Sequence, residues 1–118
     1  MNENLQNAID FSNKMLSIKT QKKYLAEKFS ADTTFGYQGG LFKIDSHLLV
    51  FVRSLIIEGK IRDVILIDSN GNPIVIPDLK DFENLIKDRY WSAVGFYQAG
   101  YEDLKNQKNN ILRVMPKE

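Results

Sequence analysis

The chain has 118 residues, 43% of them apolar and 26% charged, with a net charge of +1. That length and balance fit one globular domain and exclude a disordered chain or a uniformly basic nucleic-acid coat. No cysteine occurs, so disulfides, thiolate nucleophiles and cysteine-held zinc or iron–sulfur sites are excluded.

The opening Met1-Asn2-Glu3-Asn4 is polar and lacks the apolar run of a signal peptide. The densest apolar stretch, Leu48 to Ile57, is broken by Arg53 and Ser54 and is too short to span a bilayer. A soluble, cytoplasmic protein is expected.

Residues 5–29 carry a helical stripe at Ala8, Phe11, Met15, Ile18, Leu25 and Phe29, broken only by Lys22. Residues 33–45 read as a hairpin, with strand formers Thr33 to Tyr37 and Leu41 to Ile44 about a Gly39-Gly40 turn. Residues 46–58 read as a short helix, capped by Ser46, ended by Gly59 and apolar on nearly every side. Its β-branched content also fits a strand, and that alternative stays open.

Residues 62–77 form the clearest hairpin, Val64 to Ile67 returning as Pro73 to Ile76. Asn70-Gly71, the strongest short-range hairpin cue, lies at its tip. Residues 79–106 read as a second long helix with Asp78 as its cap. The apolar positions Leu79, Phe82, Ile86, Tyr90, Ala93, Tyr97 and Leu104 repeat at helical spacing. About 40 Å of helix exceeds what a small domain needs and points to packing on the first helix or another subunit. The ends, 1–4 and about 107–118, read as frayed.

Chemistry is sparse. His47 is the sole histidine, so any Ser–His–Asp arrangement must run through it, its place at the start of an apolar helix fits capping or packing better, and a His-rich metal site cannot be built. Asp68-Ser69-Asn70-Gly71-Asn72 opens like a calcium loop, but Pro73 and Leu79 occupy the positions where Gly and Glu are required. Gly36, Gly39 and Gly40 lack the Gly-Lys-Ser/Thr of a phosphate loop. No enzyme, cofactor or metal is expected. Polar and basic residues about the strands (Gln38, Lys43, Arg53, Lys60, Arg62, Asn70 and Asn72) are candidates for contacting nucleic acid if an oligomer repeats them. Lysines at 14, 19, 22, 23 and 28 add charge to the first helix. The aromatics Tyr90, Trp91, Phe96, Tyr97 and Tyr101 could stack bases, although their spacing fits packing better.

Four stretches carry a family resemblance. They are Met1 to Ala8 with its long helix, Gly39-Gly40-Leu41-Phe42-Lys43-Ile44, Val64-Ile65-Leu66-Ile67-Asp68 through Asn70-Gly71-Asn72-Pro73-Ile74, and the aromatic helix about Tyr90-Trp91 and Tyr97. Together the chain resembles a family of small proteins from T4-like cyanophages and ocean metagenomes. The resemblance implies an α+β chain with an Sm-like (LSm-like), strongly bent antiparallel barrel between long N- and C-terminal helices. It also implies a ring-like homo-oligomer in the host cytoplasm, with RNA or single-stranded DNA as partner and a role in nucleic-acid processing. The Arg-Gly step of the second Sm motif is missing, so no RNA-binding residue is carried over from the family. An Sm barrel has five strands and four are read here; a strand within 46–58, or a bent long strand, would supply the fifth. The alternative reading is a phage structural or accessory module that binds other proteins and no nucleic acid.

Overall fold

The computed structural model describes residues 3–113. The order is α1 (Glu3–Asp32), β1 (Thr34–Tyr37), β2 (Gly40–Lys43), α2 (Ser46–Ile57), β3 (Arg62–Ile67), β4 (Pro73–Asp78) and α3 (Leu79–Arg113). The mixed α+β class is as expected. The strands form two separate antiparallel pairs, β1–β2 and β3–β4, and no closed barrel exists among the described residues. The segment read as open between helix and strand is helix α2, so it supplies no fifth strand. The chain divides into two compact units, residues 29–94 and the helical segments on either side of them.

The helical unit pairs α1 up to Lys28 with α3 from Gly95 onward. Phe11, Ile18 and Leu25 fall seven apart, as do Tyr97, Leu104 and Ile111, and together they make its apolar cluster. Such a seven-residue repeat is the spacing that keeps one apolar seam between two paired helices. A Cβ on Gly100 would meet Leu25 Cδ2 at 2.5 Å, so the two helices approach closely there. α3 runs past the expected end at 106, because Ile111 is buried in this seam and rewards another two turns.

In the other unit, the end of α1 is closed by side chains. Thr33 Oγ1 donates to the Phe29 carbonyl at 2.7 Å, and Lys43 Nζ donates to the Ser30 carbonyl at 3.2 Å and to Thr33 Oγ1 at 2.6 Å. These satisfy carbonyls that a helix C-terminus leaves without partners. The β1–β2 turn is one residue earlier than read. Tyr37 pairs with Gly40, and Gln38 (φ 50) and Gly39 (φ 79) form the two-residue loop with both φ values positive. Gly40 is instead a strand residue whose missing Cβ makes room for Ile74.

Asp45, not Ser46, caps α2, its Oδ1 accepting from the Leu48 N–H at 2.8 Å. Gly59 (φ 87) ends α2 as read; its N–H reaches the Ile56 carbonyl and that of Lys60 the Leu55 carbonyl, a Schellman close. Only Val52 and Leu55 of α2 are fully buried; Val50, Phe51 and Ile57 face outward, against the expectation of burial on most sides. Asp78 caps α3 as read, its Oδ1 accepting from Lys80 and Asp81 N–H.

The β3–β4 loop spans Asp68 to Asn72, as read, with Asn70-Gly71 within it. The Gly71 N–H donates to the Asp68 carbonyl at 3.1 Å, and only Gly71 has positive φ (80). This is a type I turn completed by a left-handed glycine. The core packs Phe42, Ile44, Leu66, Ile74, Ile76, Leu79 and Ile86 with Phe82 at its centre. Tyr37 and Phe42 place their ring centroids 5.1 and 5.3 Å from that of Phe82.

Candidate functional site

The most organised polar cluster is at the β3–β4 turn. Asp68 is buried and accepts three backbone N–H groups: Asn70 (3.0 Å) and Asn72 (2.8 Å) at Oδ1, and Leu41 (3.0 Å) at Oδ2. Beside it the Ser69 N–H donates to the Leu41 carbonyl (2.8 Å), and Ser69 Oγ accepts from the Lys43 N–H (3.1 Å). The two residues thus tie the edge of β2 to the turn of the other hairpin. The Leu41 N–H, followed by that of Asn72, holds the Asp68 carboxyl below its ordinary value despite burial. Such a group stays ionised at neutral pH and is a structural acceptor, not a general acid. Sequence reasoning met Asp68 as the start of a failed calcium loop and as one of several scattered carboxylates explained by turns and caps. The available signal was an Asp two residues before Asn-Gly, the spacing of an Asx turn.

The sequence-derived candidates do not converge. Asn70 and Asn72 lie at the β3–β4 turn, exposed, and Gln38 is exposed at the tip of the β1–β2 turn. Lys60 and Arg62 lie at the opposite end of the β3–β4 hairpin, about 20 Å away along a six-residue strand. There they line an open groove of about 660 Å³ with Phe51, Leu55, Val64 and Ile65. Lys43 has its ammonium spent on Ser30 and Thr33. Arg53 Nη1 donates to Glu83 Oε1 at 3.1 Å; Glu83 is buried and also pairs with Lys87 at 3.6 Å. Of the seven, Gln38, Lys60, Arg62 and Asn70 expose their side chains at the hairpin turns or the groove, Lys43 and Arg53 are held by neighbours, and the Asn72 side chain bonds the Asp68 carboxylate.

His47 is exposed in the first turn of α2, and the nearby Asp45 carboxylate is committed to the Leu48 N–H. Among the described residues no group of three or more His, Asp or Glu side chains is placed to hold a metal ion.

The apolar surface is more telling. On β3–β4 one face carries Leu66, Ile74 and Ile76 into the core. The other carries Ile65 and Val75, paired in register, with Ile67, Pro73 and Pro77, all exposed. Ile65, Ile67 and Val75 keep 62%, 64% and 51% of their surface. An antiparallel pair with one face on a core ordinarily turns a polar face outward. This one is apolar on both.

The helical unit has its own groove, about 520 Å³, lined by Met15, Ile18, Tyr101, Leu104 and Leu112 with Lys19, Lys22, Lys105 and Lys108. No helix among the described residues is long and apolar enough to cross a membrane. No protein family, curated protein or solved structure matches the chain.

Proposed function

We propose that the chain is a non-catalytic assembly module that associates with further copies of itself through the outer face of the β3–β4 hairpin. The observation that carries this is the face of Ile65, Ile67, Pro73, Val75 and Pro77 left to solvent. Apolar side chains on both faces of a two-stranded ladder are stabilised only where both faces are covered. Ile65, Ile67, Pro73, Val75 and Pro77 carry no charge, and the charged Lys60, Arg62 and Asp63 lie only toward one end of the hairpin, so a two-fold related copy meets the apolar patch itself without like-charge repulsion, and a self-complementary patch is what a two-fold interface requires. Nothing in the geometry around His47 or the carboxylates supports an enzyme.

Self-association was also part of the Sm-like reading. The rest of that reading, a closed bent barrel presenting basic turns to RNA or single-stranded DNA, gains no support from two separate ladders. The scatter of Gln38, Lys43, Arg53, Lys60, Arg62, Asn70 and Asn72 favours assembly over a nucleic-acid surface.

Sedimentation velocity of the wild type and of Ile65→Glu/Val75→Lys tests the interface. The two new charges face each other across the register, so they preserve the hairpin while polarising its face. The wild type is expected to sediment as a multimer and the variant as a folded monomer. A variant that sediments like the wild type would show that this face is not the interface.

A further inference from the structure

The groove of the helical unit differs in character from the hairpin face. Its floor is aliphatic, formed by Met15, Ile18, Leu104 and Leu112, with Tyr101 at one end. Lys19 and Lys22 border it on α1, and Lys105 and Lys108 on α3. All four lysines are exposed, and among the described residues no carboxylate lines the groove. Two antiparallel helices with an apolar cleft on one side form two-thirds of a three-helix bundle. From Tyr101 to Leu112 the cleft follows about 16 Å of α3, or three turns.

We propose that this groove seats an acidic amphipathic helix from a partner protein. The aliphatic floor takes the apolar stripe of such a helix, and the two lysine rows meet Glu or Asp on its flanks. A second copy of this chain does not fit, because its α1 would bring Lys14, Lys19 and Lys23 against the same four ammonium groups. Single-stranded nucleic acid would satisfy the lysines but would set sugars and phosphates against an aliphatic floor with Tyr101 as the one aromatic platform.

The test is fluorescence anisotropy on the full chain with a labelled designed peptide of about five helical turns, Leu at 3-4 spacing and Glu elsewhere. Three further probes are a peptide with the Glu replaced by Lys, one of the same composition without the Leu periodicity, and a single-stranded oligothymidylate. The acidic amphipathic peptide alone is expected to bind saturably. Its affinity should fall about tenfold or more in Lys22→Glu/Lys105→Glu, and also at high salt. Leu112→Gln, which alters the floor without changing charge, should weaken it too, and it supplies the readout if the charge-reversal variant fails to fold. Three results would overturn the proposal: no saturation at low salt, equal binding by the folded variants, or binding of oligothymidylate or the non-periodic peptide in preference.

Discussion

Two glycines of α3 offer a matched pair. Gly95 and Gly100 occupy one helix, and both become Ala. A Cβ at position 95 meets nothing within 4 Å. Gly95→Ala therefore gains only helix propensity, about 0.5–1 kcal/mol. At position 100 the same Cβ would lie 2.5 Å from Leu25 Cδ2, 2.9 Å from Cδ1 and 3.3 Å from Cγ. Both methyls and Cγ of the buried Leu25 lie against the new Cβ, so turning the end of the side chain relieves the overlap only in part. The side chain must leave its χ1 well or the helices must part, an overpacking cost of about 1–3 kcal/mol. Gly100→Ala is thus expected to fall below Gly95→Ala by about that amount, with urea unfolding followed by circular dichroism as the assay. Leu25→Ala should remove the difference, so that on this background Gly100→Ala stabilises as Gly95→Ala does. If Gly100→Ala stabilises the wild-type chain as much as Gly95→Ala, the close helix approach on which the groove depends is wrong.

Asp68→Asn removes the charge that three backbone N–H groups converge on, and it should lower the unfolding midpoint at neutral pH. The folded-state value of Asp68 lies below that of the unfolded chain. Its ionised form therefore favours folding above about pH 4, and that contribution is lost as pH falls through the depressed value. Thermal midpoints taken across the acid range should show this loss in the wild type and a shallower fall in Asp68→Asn; superimposable profiles would exclude the role. Phe82→Ala empties the centre of the aromatic cluster and should cost about 3–5 kcal/mol, read from denaturant unfolding. His47→Ala should leave stability unchanged within about 0.5 kcal/mol, because the ring is exposed; a larger loss would reveal a structural role for it.

The element order was legible because its signals are local. Apolar spacing marked α1 and α3, Asp78 marked a cap, and Gly59 marked a stop, each resting on residues a few positions apart. The turns were harder. Gly39-Gly40 looked like a two-residue loop, but tertiary packing of Gly40 on Ile74 shifted the turn to Gln38-Gly39. The bounds of the Asp68–Asn72 loop were legible, but not that the Asp68 carboxylate organises it by accepting the Asn70 and Asn72 N–H groups. Its bond to Leu41 joins residues 27 positions apart, a link with no local signal. α2 misled because its apolar residues surround the helix, and composition does not say that Val50, Phe51 and Ile57 stay outside. The lysine-bordered groove was half visible. Lys19 and Lys22 stood out on α1, but Lys108 lay in a stretch read as frayed, and only pairing with α1 sets the two rows side by side. The unusual face of β3–β4 was visible as continuous apolar strands, a pattern ordinarily explained by burial on both sides.

The central claim is self-association, and the mass of the wild-type chain in solution tests it most directly. Light scattering over a dilution series should give an integer multiple of the 13.6 kDa chain mass at the upper concentrations, falling toward one chain on dilution. A mass of one chain at every concentration would contradict it.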